Sequence, residues 1–169
     1  MSMIRSLLAA LVAVVLTSVD VAAASLASPQ GRPILEVSGS IAVKNDGDSA
    51  KFDLAMLEKI GVTKVKTSTA WTEGIPQFEG VLVRDLLVAL GATGGTVTAV
   101  ALNDYKIEIP VADFSKYGVI LAFRQDGQEL RIRDKGPLWI VYPQDDHPEL
   151  KTKATQAKWL WQLKELRVK

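Results

Sequence analysis

The stretch LWIVYP, residues 138–143, restricts the fold of this chain more than any other part of the sequence. Five apolar or aromatic residues follow one another without polar alternation, and a Pro ends the run. An apolar run of this length, bounded by Gly-Pro on one side and Pro on the other, predicts a strand that is buried on both faces. Other elements of the chain must therefore cover both faces of this strand.

The N-terminus has the pattern of a secretory signal peptide. Arg5 precedes an apolar run from Leu7 to Leu16, and small residues follow up to Ala24. The run is too short to anchor the chain across a bilayer, which favours cleavage near Ala24 over the alternative of an uncleaved membrane anchor. No pair of arginines precedes the run, and this favours export as an unfolded chain that carries no cofactor from the cytoplasm. We therefore predict a periplasmic or secreted protein.

The domain organisation follows from this pattern. Residues 1–24 are predicted as the signal peptide, 25–33 as a flexible leader rich in small residues, Pro and Gly, and 34–169 as one domain. The mature protein is predicted to have no transmembrane span.

Composition excludes several classes of function. The net charge of the whole chain is +1, and loss of Arg5 and Asp20 with the signal peptide leaves it unchanged. The basic residues are not clustered, so we expect no nucleic-acid partner. The chain has no cysteine, which excludes disulfides, thiolate catalysis and thiolate ligation of a metal. Core packing alone must hold the fold.

Hydrophobic periodicity and turn residues predict the remaining elements. Asp53 is expected to cap a helix that stops at Gly61, and Asp126-Gly127 is expected to form a tight hairpin turn. The predicted elements are strands over 34–43 (with Gly39 as a possible bulge), 63–71 and 138–143, helices over 52–61 and 78–92, hairpins over 96–110 and 119–132, and a closing strand or short helix over 159–168. The pattern predicts a mixed α+β domain with mainly antiparallel sheets and two or three short helices.

The acidic segment around His147, the only histidine, has two interpretations. His147 lies beside Asp145, Asp146 and Glu149, which are residue types that bind cations. Neighbouring side chains in such a run point in different directions, however, and a metal site needs ligands from several elements. The other interpretation is a solvated loop, and we predict no metal site here.

Three further groups of residues each have a functional and a structural interpretation. A hydroxyl nucleophile in the segment of Ser68, Thr63, Thr67, Thr69 and Thr72 would need a positioned base, whereas these residue types also suit a strand. Arg84 and Asp85 would either assist anion binding at a helix start or form a surface ion pair. The tryptophans would either stack on a planar ligand or fill the core; they are Trp71, Trp139, Trp159 and Trp161.

Several segments together resemble one known family. The segments are FEGVLVRDLLVALGA (78–92), ALNDYKIEIPVADF (101–114), DGQELRIRDKGPLWIVYP (126–143) and the closing WQLKELRV (161–168). Their order and spacing resemble the oxidoreductase molybdopterin-binding domain found in sulfite oxidases and in the catalytic subunit of the periplasmic methionine sulfoxide reductase system. The resemblance runs from about Ile34 to Lys169, and it implies a sulfite-oxidase-like molybdopterin-binding fold.

The resemblance also draws attention to a departure from the family pattern. In the enzymes of that family a cysteine thiolate ligates molybdenum, at a strand end just before a segment that contains a tryptophan. The corresponding position here is Thr67, or Ser68 if the register shifts by one residue. A neutral hydroxyl is a far poorer ligand for a high-valent metal than a thiolate. The near-neutral charge also offers few cationic partners for a pterin phosphate.

These observations predict an exported binding or accessory module, with no catalytic residue and no bound cofactor. The alternative is a molybdopterin-dependent oxidoreductase that holds a molybdenum–pterin cofactor without cysteine ligation. The expected partner is a small-molecule ligand, or a periplasmic or membrane signalling or redox protein. The pocket is predicted near the end of the strand over 63–71, and seven residues are expected to line it: Thr67, Ser68, Trp71, Asn103, Tyr105, Lys135 and His147.

Overall fold

Two five-stranded sheets and four short α-helices share one hydrophobic core in the computed structural model, which describes residues 26–169. The strands are β1 (Leu35–Gly39), β2 (Ser49–Phe52), β3 (Thr63–Lys66), β4 (Gln77–Leu82), β5 (Thr96–Ala101), β6 (Lys106–Pro110), β7 (Ile120–Gln125), β8 (Gln128–Glu129), β9 (Trp139–Val141) and β10 (Leu163–Val168). The helices are α1 (Leu54–Ile60), α2 (Val83–Ala89), α3 (Val111–Tyr117) and α4 (Lys153–Gln156).

The first sheet has the order β2-β1-β10-β5-β6. Only the pairing of β1 with β10 is parallel, and the other neighbours are antiparallel. The last strand of the chain thus lies in the middle of this sheet, where Leu163 and Leu166 are fully buried. This position brings the segment just before β10 close to the end of β5.

The second sheet has the order β3-β4-β7-β8, and β9 pairs with β7 as well. All of its pairings are antiparallel. The turn between β7 and β8 has Asp126 at φ 49° and Gly127 at φ 77°, which is the left-handed geometry predicted for this hairpin. Every side chain of β9 is fully buried, as its apolar run predicts.

Asp53 fastens the N-terminal segment to the domain. Its carboxylate caps α1 by accepting the Met56 N–H at 2.9 Å, and it also accepts the N–H groups of Gln30 at 2.9 Å and Gly31 at 2.7 Å. The hydrogen bonds from Gly31 and Met56 lower the pKa of the Asp53 carboxyl below its ordinary value. The part of the predicted leader that the structure describes is therefore held to the domain at this point.

The predicted fold class is confirmed, with four short helices in the described residues in place of two or three. Several boundaries differ from the prediction. The strand expected to reach Trp71 ends at Lys66, and the helix expected over 78–92 begins only at Val83 because the preceding residues form β4. The segment 159–162 precedes β10 as a loop. The sequence analysis missed β2, α3 and α4.

Within residues 26–169, no helix is long and apolar enough to cross a membrane. The predicted signal peptide lies outside the described residues.

Candidate functional site

A cavity of about 310 Å³ opens beside the end of β5 and the segment between α4 and β10. Its size is at the lower end of the range for small-molecule sites. Its ten lining residues are aromatic, apolar or carboxamide residues, and none of them carries a charge: Trp71, Ala101, Asn103, Tyr105, Gln156, Ala157, Trp159, Leu160, Trp161 and Gln162. We call this the tryptophan cavity.

All four tryptophans of the chain form one cluster beside this cavity. Three of them line it, and Trp139 packs against these three. The Trp71 ring lies 5.3 Å from the Trp161 ring, 6.0 Å from Trp159 and 6.3 Å from Trp139, between ring centroids. Trp139 and Trp159 are buried, whereas Trp161 is 37% exposed. The cluster therefore has a fixed inner part and an outer part that is accessible to a ligand.

Two buried donors at the cluster have no acceptor. The indole N–H groups of Trp139 and Trp159 are buried and form no hydrogen bond within the described residues. The Oε1 atom of Gln144, on the loop after β9, is a buried acceptor without a donor. Unpaired buried polar groups are costly and unusual in folded proteins, and they concentrate at sites with a role beyond packing.

A separate polar cluster closes the end of β3. The Asp145 carboxylate accepts the Ser68 N–H at 2.5 Å and the Ser68 hydroxyl at 2.8 Å, and the Lys151 ammonium lies 2.7 Å from it. Gln144 donates to the Ser68 carbonyl at 2.8 Å. We call these residues, with Thr67, the strand-end cluster. The Lys151 ammonium and the Ser68 donors lower the pKa of Asp145 to about 2, so the carboxylate is charged at neutral pH.

Thr67 is fully buried within the strand-end cluster. Its hydroxyl accepts the Asp145 N–H at 3.3 Å and donates to the Ser68 carbonyl at 3.4 Å. Both hydrogen-bonding functions of the hydroxyl are therefore used within the protein.

The seven predicted site residues do not share one cavity. Trp71, Asn103 and Tyr105 line the tryptophan cavity. Thr67 and Ser68 instead belong to the strand-end cluster. Ser68 is hydrogen-bonded there to Asp145, from the loop after β9.

Lys135 and His147 also lie outside the cavity lining. The Lys135 ammonium lies 5.4 Å from the centre of the Trp139 ring, which is a cation–π arrangement behind the cavity. The His147 ring packs edge-on against Tyr117 at 5.2 Å, and its Nδ1 lies 3.7 Å from Glu149. Within residues 26–169, no group of three or more His, Asp and Glu residues is arranged to hold a metal ion.

The structure also decides the two interpretations of the Arg84 and Asp85 pair. The two side chains form an ion pair at 3.5 Å, and both are about half exposed. They are a surface pair on α2.

Some residues that line the tryptophan cavity or belong to the strand-end cluster were not predicted from the sequence. Gln156 and Gln162 had no distinguishing pattern, since their place depends on how the loop before β10 meets β5. Asp145 was considered only as a metal ligand, although a carboxylate directly after a buried strand is also well placed to accept backbone N–H groups.

Asp113 forms a partly buried contact beside Trp159, which lines the cavity. The Asp113 carboxylate accepts the Tyr142 hydroxyl at 3.1 Å and pairs with the Lys158 ammonium at 2.6 Å. Burial and the nearby negative charge raise the pKa of Tyr142 above its ordinary value. The Tyr142 ring stacks on Trp159 at 6.4 Å, so this network holds Trp159 in place.

Comparison with known proteins places these features in a family. The model of the family described as "Oxidoreductase molybdopterin binding domain" matches residues 54–167. No curated protein matches the chain. Among solved structures, the sulfane dehydrogenase SoxCD from Paracoccus pantotrophus is similar, with a TM-score of 0.57 and 18% identity. The match covers 79% of this chain and 37% of that chain, and at this identity it shows a shared fold.

These matches overturn one prediction. The expectation that no cofactor is bound is wrong, because the matched family is one of molybdopterin-binding domains and points to a molybdenum–pterin cofactor. Aromatic walls and neutral carboxamides suit a planar pterin ring, which has hydrogen-bonding groups along its edges. A bond from the protein to the metal does not fit, because the chain has no thiolate and the buried Thr67 hydroxyl is already hydrogen-bonded.

We predict that Asp145→Ala destabilises the protein by about 1–3 kcal/mol at pH 7, because the Ser68 donors lose their acceptor in a partly buried position. Hydrogen exchange should show lower protection of the Ser68 amide, and urea unfolding gives the free energy. Because the folded pKa of Asp145 is depressed to about 2, its contribution is present above about pH 4 and is lost as the pH falls through about 2.

The neighbouring exposed residue provides the control for this experiment. Asp146→Ala should leave both the Ser68 protection and the free energy of unfolding close to the wild-type values. Equal effects of the two substitutions, or no loss of protection in Asp145→Ala, would contradict the role given to the strand-end cluster.

Proposed function

This chain belongs to the oxidoreductase molybdopterin-binding domain family, and from that premise we propose that it is a binding or accessory module that holds a molybdenum–pterin cofactor by its organic part. The observation that carries the proposal is the contrast between the two neighbouring sites. The tryptophan cavity offers aromatic walls and neutral polar edges, whereas the Thr67 hydroxyl of the strand-end cluster is already used in hydrogen bonds within the protein.

The outer wall of the tryptophan cavity supports binding of the pterin ring. Trp161 and Tyr105 are 37% and 53% exposed, so both rings are accessible beside the buried Trp159. Planar heterocycles stack on aromatic side chains with favourable energies of about 1–3 kcal/mol per ring. The carboxamides of Asn103, Gln156 and Gln162 each provide a donor and an acceptor for the polar edge of the ring.

The strand-end cluster supports a role without oxygen-atom transfer. By the resemblance, the thiolate of the family corresponds to Thr67, or to Ser68 if the register shifts by one residue. The Thr67 hydroxyl is buried and hydrogen-bonded on both sides, and both Ser68 donors are bonded to Asp145. Exposing the Thr67 hydroxyl to a ligand would require the hydrogen bonds between Ser68 and Asp145 to break. A cofactor in the neighbouring cavity would then have no bond from its metal to the protein. We therefore propose that the protein recognises the cofactor through its pterin ring.

Trp161→Ala tests the proposed binding mode. Free pterin, followed by quenching of its own fluorescence, should bind the wild-type protein and bind Trp161→Ala at least about fivefold more weakly, because one stacking wall is lost. Trp161 is partly exposed, so the variant should fold normally, as checked by circular dichroism. Val88→Ala is the matched control, since Val88 is 79% exposed on α2 and does not line the cavity. Equal affinity of wild type and Trp161→Ala would contradict the proposal.

The accessory role predicts an absence of turnover. Protein loaded with cofactor should reduce methionine sulfoxide and oxidise sulfite, with artificial electron carriers, no faster than an equal amount of free cofactor, because no group of His, Asp and Glu residues within 26–169 is arranged to hold the metal. Turnover well above that of the free cofactor would favour an oxidoreductase with non-cysteine ligation.

We also propose that the protein acts in the periplasm or outside the cell after loss of residues 1–24. The pattern of Arg5, a short apolar run and small residues before Ala24 supports this proposal. The partner we propose is a small-molecule ligand or a signalling or redox protein of the same compartment. The mass of the chain purified from its host tests export: the expected chain begins near Ser25, and an intact N-terminus would contradict the proposal.

A further inference from the structure

A second cavity, of about 320 Å³, lies between the start of β1 and the turn that follows β8. We propose that this cavity binds a monocarboxylic acid with an apolar body. It shares no lining residue with the tryptophan cavity, so the proposal is independent of pterin binding. We call it the arginine cavity, after Arg32 and Arg131 at its wall.

The charges at the arginine cavity favour a single negative charge. Its lining includes four cationic side chains and one carboxylate, that of Glu36. Lys51 pairs with Asp46 at 2.5 Å and Lys164 with Asp104 at 2.7 Å, so both lysines have their charges compensated by aspartates outside the cavity.

The two arginines are not compensated in this way. Neither Arg32 nor Arg131 forms an ion pair within residues 26–169. Together with Glu36 they leave an excess of one positive charge at the cavity. The planar guanidinium group matches a carboxylate in geometry, so a monoanionic carboxylate fits both the charge and the available donors.

The backbone holds Arg32 in place from both sides. The preceding Gly31 N–H is bonded to the Asp53 carboxylate at 2.7 Å, and the Ile34 N–H donates to the Phe52 carbonyl at 2.8 Å. Arg32 therefore extends from a fixed point beside β1 and β2. This arrangement lowers the entropy lost when its side chain engages a ligand.

The backbone at Arg131 is equally constrained. Its carbonyl accepts the N–H groups of Asp134 and Gly136, both at 2.7 Å. A Cβ atom at Gly136 would lie 2.0 Å from the Leu130 carbonyl oxygen, so only glycine permits this close turn. The two arginines thus approach one cavity from different elements, each on a backbone fixed before a ligand binds.

Apolar side chains provide the rest of the arginine cavity. Leu102 is 41% exposed and Ile132 is 48% exposed, so both aliphatic side chains present apolar area to a ligand in the cavity. Ile34, Leu130 and Pro137 complete the apolar part of the wall. An aliphatic chain that covers these side chains would remove apolar area from water while its carboxylate meets the arginines. A fully hydrated inorganic anion would leave this surface uncovered.

The carboxylate has two possible sources, and the experiment distinguishes them. One is a free aliphatic acid, and the other is the C-terminal carboxylate of a peptide with an apolar last residue. We would titrate the mature protein by calorimetry with decanoate below its micellar concentration, with 1-decanol as the neutral match. A short peptide that ends in leucine would be compared with its amidated form.

Three variants test the arginines. Decanoate, the free-acid peptide or both should bind with saturation, and Arg32→Gln and Arg131→Gln should each weaken that binding at least about tenfold because a charge-assisted hydrogen bond is lost. Arg133→Gln is the matched control: Arg133 lies on the same turn, is exposed, pairs with Asp134 at 3.4 Å and does not line the cavity. Its affinity should stay within about twofold of wild type.

The other outcomes overturn the proposal. They are no saturable binding of either acid, 1-decanol or amidated peptide binding as tightly as the acid, or unchanged affinity in Arg32→Gln and Arg131→Gln. Failure here leaves the pterin titration of Trp161→Ala unaffected, because the two cavities have separate linings.

Discussion

The burial of Trp139 is the interaction on which the rest of the structure depends. Its side chain is fully buried in β9, and its ring contacts Phe78 at 5.2 Å in an edge-on arrangement and lies within 6.5 Å of the other three tryptophans. These rings come from β4, from the loop after β3 and from the segment before β10, so one side chain fixes the relation of three distant parts of the chain.

The strand-end cluster has hydroxyl groups at the end of β3, where the family pattern has a thiolate. A thiolate at the end of β3 would need an open side that faces the cofactor, whereas Thr67 is enclosed and Ser68 is drawn to Asp145. The hydrogen bonds join the segment after β3 to the loop after β9 and stabilise this junction. The residues of the tryptophan cavity suit the pterin ring of the family's cofactor. The chain has no thiolate to ligate the metal of that cofactor.

Local patterns predicted the parts of the fold in which local forces dominate. The apolar run at 138–143 contains the buried strand β9, and Asp126-Gly127 forms the expected turn, because burial and backbone geometry are encoded within a few residues. The strand expected to reach Trp71 ends at Lys66, and just beyond it Ser68 is hydrogen-bonded to Asp145, 77 residues later in the chain. Such a contact has no local signature. The resemblance identified the family, whereas no local pattern shows that Thr67 lies in the strand-end cluster or that Lys135 lies against the Trp139 ring.

We propose that this protein retains the pterin of its family and that no side chain of the protein ligates the molybdenum. The most direct measurement is the content of pterin and molybdenum per mole of folded protein, purified from its own host and dialysed against a chelator. Pterin would be determined by fluorescence after oxidation and the metal by elemental mass spectrometry. We predict close to one pterin per chain, with molybdenum at no more than the amount of pterin, because the metal is held only through the pterin. Folded protein without pterin, or with tightly bound molybdenum but no pterin, would contradict the proposal.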